Sequence, residues 1–254
     1  MNPFIHSEHT IAENMKLTII DIESLSGNVL TALDNNFVKI CEGDSGSSLS
    51  TVKKMVATLY ATKNNKWIMG ATAEFFVHLY VTLSGFKQEF LALNLEEGSI
   101  KKGFDGYYSL NGDEWVMESK SGSINTNNIT HSNKIQLAHS DLENKISGNS
   151  ANNPWRNAYS HASHYDVGSS PQIRKVIKTL SDDFVNGKFH SIEEFNIMPC
   201  STIFLAGVWN PPAHEHILNE IKTISAKLKG KQIHSICVTH KSVNLFLDYI
   251  NPED

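Results

Sequence analysis

"GFDGYYSL" at Gly103–Leu110, "NGDE" at Asn111–Glu114 and "WVMESK" at Trp115–Lys120 form the stretch on which the fold turns. The first and last are short runs rich in aromatic and apolar residues, and Asn111-Gly112 between them is a hairpin signal, since both residue types tolerate positive φ. Just upstream, "QEFLALNL" (Gln88–Leu95) is strand-like, and "EEGSIKKG" is turn chemistry. A three-stranded meander is therefore expected through Lys120. On a strand, residues two apart project from one face, so Glu118 and Lys120 point together while Met117 and Ser119 face the other way. Asp105, flanked by Gly103 and Gly106, falls on the preceding strand. From a turn centred near Gly112, Asp105 lies seven residues back and Glu118 six forward, and one bulge or turn residue sets them opposite.

That pattern has two readings. The bland one is a solvated strand edge carrying opposite charges. The chemical one is a metal centre: two carboxylates, Asp105 and Glu118, can hold a hard divalent cation such as Mg²⁺, or Mn²⁺ in its place, through oxygen ligands, with positions left for water and a phosphate oxygen. Such a cation lowers the pKa of bound water and neutralises charge building on phosphorus. Lys120 could orient the water or stabilise the transition state, and the Ser119 carbonyl could complete the metal shell. Glu-x-Lys recurs at Glu143/Lys145 and Glu220/Lys222. Both fall on helical patterns, where residues two apart do not share a face, and read as solvated surface pairs.

Working outward, "MKLTIIDI" predicts a strand, and Leu25, Val29, Leu33 and Phe37 recur every four residues in a helix-like run from Ser24 to Phe37. "EGDSGSS" is a polar loop. "LSTVKKMVATLYATKN" predicts a helix capped by Ser50 or Thr51. The next helix spans Lys66 to Leu83, apolar on most sides yet holding Glu74 and His78. Downstream, "KIQLAHSDLENKI" and "QIRKVIKTLSDDFV" predict helices, separated by a long loop over "SGNSANNPWRNAYSHASHYDVGSSP". "STIFLAGVWN" predicts a strand buried on both faces. "PPAHEHILNEIKTISAKLKG" is a helix punctuated by proline and glycine. "QIHSICVTH" predicts a last strand, and "SVNLFLDYI" a terminal helix or strand. The first forty-nine residues are expected to form an extension or accessory layer on a domain running from 50 to 254.

The chain has 254 residues, and 40% hydrophobic content is ample for a packed core. Its three cysteines, Cys41, Cys200 and Cys237, show no paired spacing and fit a reducing, cytoplasmic setting. "MNPFIHSEHT" lacks a basic n-region and an apolar h-region, so no secretion signal is expected. The most apolar stretch, "WIMGATAEFFVHLYVTLSGF", reads as a buried helix rather than a membrane span. A formal net charge of −5 is not the footprint of a protein that grips nucleic acid unaided. Any such role needs a local basic strip or a partner that supplies the grip.

The order helix, three-strand meander, helix, strand, with an acidic residue in "GFDGYY" before the Glu-x-Lys of "VMESK", resembles the PD-(D/E)xK nuclease superfamily. The resemblance implies an α/β fold with a mixed central sheet of the restriction-endonuclease-like type flanked by helices. Many members carry a glutamate on the preceding helix, and Glu74 in "ATAEFFVHLY" matches it. Its other reading is a glutamate at a polar edge or paired with a core base. Within the superfamily the chain looks most like the HamA-type nuclease subunit of the bacterial Hachiman anti-phage defence system, over Ser50 to Gly230. This implies a Mg²⁺-dependent DNA endonuclease, with Asp105, Glu118 and Lys120 catalytic, Asp105, Glu118, Ser119 and Glu74 around the metal, and a helicase subunit as partner. The Gln-x-x-x-Tyr that some members carry on the following helix is half present, as Gln136 with Ser140.

Other motifs carry less. His161 and His164 near Asp166 lack two further ligands for zinc and read as surface or phosphate-contacting residues. His214, Glu215 and His216 have the wrong separation for a His-Glu-x-x-His metalloprotease and read as first-turn solvation. Trp155 and Arg156 could stack on a base, or simply anchor a loop. Lys101 and Lys102 could steer a phosphate backbone, or simply be solvated. "EGDSGSS" lacks a P-loop ending, and no Gly-x-Ser-x-Gly elbow is present. Two functional classes remain: a metal-dependent nuclease, or a nuclease-like interaction protein that docks to and regulates a partner ATPase.

Overall fold

The computed structural model describes residues 2–91 and 103–251. Two antiparallel strands, β1 (Ile5–Ala12) and β2 (Met15–Ile22), open the chain, followed by helices α1 (Gly27–Glu42), α2 (Leu49–Ala61) and α3 (Asn65–Leu83). The meander follows as β3 (Lys87–Gln88), β4 (Gly106–Leu110) and β5 (Asp113–Ser123). Three helices come next, α4 (His131–Ile146), α5 (Pro154–Ala162) and α6 (Pro171–Val185). Then β6 (Asn196–Phe204), α7 (His214–Ile224), β7 (Gln232–His240) and α8 (Asn244–Ile250) complete the fold. The seven strands form one mixed sheet in the order β1-β2-β7-β6-β5-β4-β3. Its centre, β2, β7, β6 and β5, is parallel, while both edges are antiparallel.

The protein is α/β, with helices on both sheet faces. Alternation along the strands feeds two separate cores. Ile20, Ile22, Met117, Met198, Ile236 and Val238 pack with α1, α2, α3 and α8. Leu17, Ile19, Val116, Ile197, Ile233 and Cys237 pack with α4, α5, α6 and α7. A central strand covered on both sides needs apolar residues on both, which is why β6 is buried along its whole length. No helix among the described residues is long and apolar enough to cross a membrane.

The first forty-nine residues do not sit apart from this sheet. β2 runs parallel to β7 over Met15–Ile22, and Leu33, Phe37 and Ile40 of α1 are fully buried in the α3-side core. β1 has no counterpart in the sequence reading, because its exposed edge position removes the need for apolar alternation. The helix expected over Ser24–Phe37 runs on to Glu42, and the cap of α2 is Ser48, whose side chain accepts from the Thr51 N–H. The long loop expected after α4 contains a helix, α5, started by Asn153 and Pro154, and a 3-10 turn at Tyr165–Val167. Its anchor, Trp155, is buried against Phe104 and Phe195, at 4.7 and 5.3 Å between ring centres. β6 starts five residues earlier than expected and ends at Phe204, because Ala206 and Gly207 turn the chain with φ of 56° and 95°. The final segment is a helix, α8. Of the expected Gln88–Leu95 strand, residues 92–95 lie outside the described part, as do Lys101 and Lys102.

Candidate functional site: a buried carboxylate between two lysines

The hairpin that builds the site closes without a bulge. Leu110 pairs with Asp113, and the register runs symmetrically to Gly106 opposite Met117. Asn111 and Gly112 make a two-residue turn with φ of 52° and 90°. Continuing the register by one residue sets Asp105 across from Glu118. Asp105 itself lies in the bend before β4 rather than on it. There the ladder shifts: the Asp105 N–H donates to the Met117 carbonyl at 3.1 Å, and Asp105 Oδ2 accepts from the Ser119 N–H at 2.8 Å. The aspartate thus clamps β5 at the point where its two functional side chains emerge.

Glu118 and Lys120 share the face of β5 covered by α4. Glu118 is 2% exposed, and both its oxygens are engaged. Oε1 accepts from Lys120 Nζ at 2.8 Å and Oε2 from Lys145 Nζ at 2.5 Å. Lys120 also donates to Asp141 Oδ2 at 2.5 Å. Asp141 and Lys145 both come from α4. Burial, reinforced by the neighbouring charge of Asp105, raises the Glu118 carboxyl to about 7 against the pull of the two lysines. Burial works against the Lys120 charge, but Glu118 and Asp141 outweigh it and lift the ammonium above its ordinary range.

Further lysines stand close by. Burial lowers Lys134, as does repulsion from Lys120 and Lys66, so three ammonium groups share one electrostatic neighbourhood. Lys134 belongs to α4 and Lys66 to the first turn of α3. Gly122, two residues past Lys120 on the same face, gives room for this crossing: a Cβ there would lie 2.0 Å from Ile129 Cδ1 and 3.1 Å from Lys134 Cε.

Glu74 comes from the other layer. It lies on α3, which packs against the Met117 face of β5, and is 9% exposed. One turn later on the same helix face, His78 donates from Nε2 to the Asp105 carbonyl at 3.2 Å and accepts at Nδ1 from the Tyr108 hydroxyl. One imidazole tautomer serves both bonds. The Tyr108 hydroxyl is pushed up by burial, then by Cys200, Glu74 and Asp105, so the charges of Glu74 and Asp105 meet around it. The α3 layer therefore holds Asp105 from behind through His78. Ser119 points its side chain to this layer, where its Oγ has no hydrogen-bond partner among the described residues.

Asp105, Glu118 and Lys120 are thus together, with Ser119 bonded to the first of them, and Glu74 approaches from the opposite sheet face. The donor set is all oxygen and fits a hard cation: Mg²⁺ is commonly held by one or two carboxylates, with water and phosphate filling its shell. No cluster of three or more His, Cys, Asp or Glu able to hold a metal occurs among the described residues. Asp105 raises the cost of charging Glu118, which a cation between them relieves.

Sequence reasoning missed Asp141 and Lys145, and Lys145 corrects its reading as a solvated surface residue. The argument that Glu143 and Lys145 do not share a helix face is sound, but it does not say which of them faces inward. Ile135, Ala138, Leu142 and Ile146 form the buried stripe of α4, and Asp141 and Lys145 border it, each at i+3 spacing from Ala138 and Leu142 respectively. That spacing was readable. Gln136 turns back on its own helix, to the Ser132 carbonyl at 3.4 Å. His214 is not merely solvated: it bonds Ser7 Oγ at 2.7 Å and Asp21 Oδ2 at 3.1 Å, fastening α7 to the β1-β2 hairpin. His161 packs near Phe90, at 5.9 Å between rings. No protein-family model matches the chain, and no curated protein matches it.

Proposed function

We propose that the protein is a Mg²⁺-dependent DNA nuclease of the PD-(D/E)xK type, with the restriction-endonuclease-like arrangement of its mixed sheet, and that it is the effector of an anti-phage complex with a helicase, like the HamA-type subunit of Hachiman systems. The observation that carries the reading is the buried Glu118 carboxylate, opposite Asp105 and flanked by Lys120, beside the lysine strip of Lys66 and Lys134. Asp105 and Glu118 would hold the metal with the Ser119 carbonyl. Bound there, Mg²⁺ supplies an acidified water and charge neutralisation at phosphorus. Lys120, kept fully protonated by Glu118 and Asp141, orients the attacking water and donates to a non-bridging phosphate oxygen. Lys145 screens Glu118 while the carboxylate awaits a cation. Lys66 and Lys134 hold neighbouring backbone phosphates, at a cost in affinity that rises with salt. Glu74 organises the site through the charge it shares with Asp105 around Tyr108.

A second reading rests on one observation. Both Glu118 oxygens are already satisfied by lysines, as in a purely structural ion-pair cluster. In that case the protein docks to and regulates its ATPase partner without cutting. DNA cleavage by the purified chain, alone and with the partner helicase, in Mg²⁺ and in EDTA, separates the two. Metal-dependent cutting lost in Glu118→Ala/Lys120→Ala supports the nuclease. A stable helicase complex with no cutting in any combination leaves the regulatory subunit.

A further inference from the structure

The β1-β2 hairpin meets the start of α7 at a polar cluster that the candidate nuclease site does not use. Residues two apart share a strand face, so Met15, Leu17, Ile19 and Asp21 of β2 point the same way. The first three are buried in the α4-side core, and Asp21 ends the row with a carboxylate. On β1 the matching row is Ile5, Ser7, His9 and Ile11, for Ile5 pairs with Asp21 and Ser7 with Ile19. Ser7 and Asp21 are therefore diagonal neighbours on one face. His214, the first residue of α7, reaches both.

The imidazole links the two. Ser7 Oγ lies 2.7 Å from its Nδ1, and its Nε2 lies 3.1 Å from Asp21 Oδ2. The tautomer protonated at Nε2 serves both bonds, donating to the carboxylate and accepting the serine proton at Nδ1. His9 Nε2 stands 3.1 Å from the same Oγ, so the oxygen accepts from His9 while it donates to His214. This is the bonding order of a serine nucleophile, its base and the carboxylate that orients the base, which is recognised by geometry rather than by an elbow motif. Fastening α7 to the hairpin does not account for all of it. Asp21 Oδ1 is buried with no partner among the described residues, and burial raises the carboxyl against the pull of His214. A desolvated carboxylate of this kind strengthens its hold on an imidazolium. Ser7 and His9 are half-buried and 25% of the His214 side chain is exposed, so the cluster opens to solvent along the edge strand. α7 has no side-chain cap, and the N–H groups of His214 and Glu215 have no partner among the described residues, which leaves two amides for a developing oxyanion. Ile5, beside Ser7 on this face, is 71% exposed and offers an apolar contact.

We propose that Ser7 is a nucleophile toward carboxylic esters of short acyl chain, with His214 as its base and Asp21 as the residue that positions the base. Oγ bonds to the ester carbonyl carbon as its proton passes to His214 Nδ1. The carbon–oxygen bond to the alcohol then breaks, and the alcohol leaves with that proton. Water, deprotonated by the same nitrogen, attacks the acyl-serine, the acid departs and Oγ recovers its proton. Ester and water give acid and alcohol, with no other reactant. A shallow edge site with one apolar neighbour suits a small acyl group rather than a long one. β2, β7 and β6 separate Ser7 from Glu118 on β5, and the inference does not rest on nuclease activity.

Treatment of the full chain with diisopropyl fluorophosphate, in which Oγ bonds to phosphorus as fluoride leaves, tests it when the adduct is located by peptide mass spectrometry. Hydrolysis of p-nitrophenyl acetate is followed alongside. An adduct at Ser7 and an initial burst of p-nitrophenolate are expected. Ser7→Ala is expected to abolish both, and His214→Gln to slow both by about a hundredfold. Asp21→Asn is expected to lower kcat about tenfold with KM unchanged, a split that a loosened α7 alone does not produce. Should Ser7→Ala not fold by circular dichroism, the adduct mapped on the wild-type chain decides the matter. No adduct at Ser7 with millimolar reagent overturns the proposal. So does ester hydrolysis undiminished in Ser7→Ala, which would assign it to a surface imidazole such as His216.

Discussion

The two faces of β5 differ in kind. Toward α4 it presents Val116, Glu118, Lys120 and Gly122, and toward α3 it presents Trp115, Met117, Ser119 and Ser121. The second face follows the ordinary rule for a strand between layers: Met117 is fully buried in an apolar core. The first breaks it with a carboxylate that burial holds near pH 7 and that needs two ammonium groups beside it. A fold tolerates such a cost where the charge has a task. One strand therefore separates an apolar layer from a charged one by alternation alone, and each face can be broken without the other.

The sharpest break is at the charged face. Glu118→Ala/Lys120→Ala removes both members of a pair, and the two groups of α4 that lose their β5 partners, Lys145 and Asp141, are of opposite charge. It is expected to abolish DNA cleavage, by roughly a thousandfold or more, while the far-ultraviolet circular dichroism and helicase binding persist. Cutting at the wild-type rate by this variant would sink the nuclease reading. Met117→Ala is the mirror experiment. It empties the apolar face and is expected to cost about 2–5 kcal/mol in urea unfolding, with metal-dependent cleavage retained in the folded fraction.

Next in size is Lys145, where sequence and structure part company. If it were a surface residue paired with Glu143, replacing either would change little. With Nζ 2.5 Å from a buried carboxylate, Lys145→Ala is expected to cost about 3 kcal/mol, because it leaves Glu118 under-compensated. Glu143→Ala is expected to stay within about 0.5 kcal/mol. Equal, small effects for the two would return Lys145 to the solvent.

Much of this was legible in the residues. Asn111-Gly112 announced the hairpin, and period-two alternation aimed Glu118 and Lys120 together. Since the turn is centred between Asn111 and Gly112, Asp105 and Glu118 are equidistant from it and no bulge is needed. What remained hidden has physical causes. β1 is an edge strand whose exposed residues carry no apolar period. α5 was masked by a run of Asn and Ser that in fact supplies its cap, Asn153. The Ser7–His214–Asp21 cluster could not be read at all, since it depends on register and docking among elements far apart in the chain. The three become neighbours only when β1, β2 and α7 meet.

The smallest effect concerns pH and distinguishes the faces once more. Burial lowers His131, on the α4 side, to about 3, and His234 and His240, on the α3 side, to about 4 and 3. Their ordinary value is 6.5, so between 6.5 and 4 the unfolded chain binds protons that the folded chain refuses. Stability must therefore fall as pH drops through that window. Glu118 has the opposite sign. Its folded value, about 7, lies above its ordinary 4.5, so in metal-free buffer it contributes stability that fades as pH rises from 4.5 to 7. On the α4 side the two trends oppose each other between 4.5 and 6.5, while on the α3 side both histidines pull one way. His131→Asn can keep the bonds that the imidazole makes to Ser201 and Thr239 while removing its titration. Urea unfolding between pH 4 and 8 is then expected to show about one third of the histidine-driven acid slope removed, with little change at pH 8. An unchanged slope would mean that His131 stays hydrated and free to protonate, and that the α4 face is wetter beneath the lysines than its packing implies.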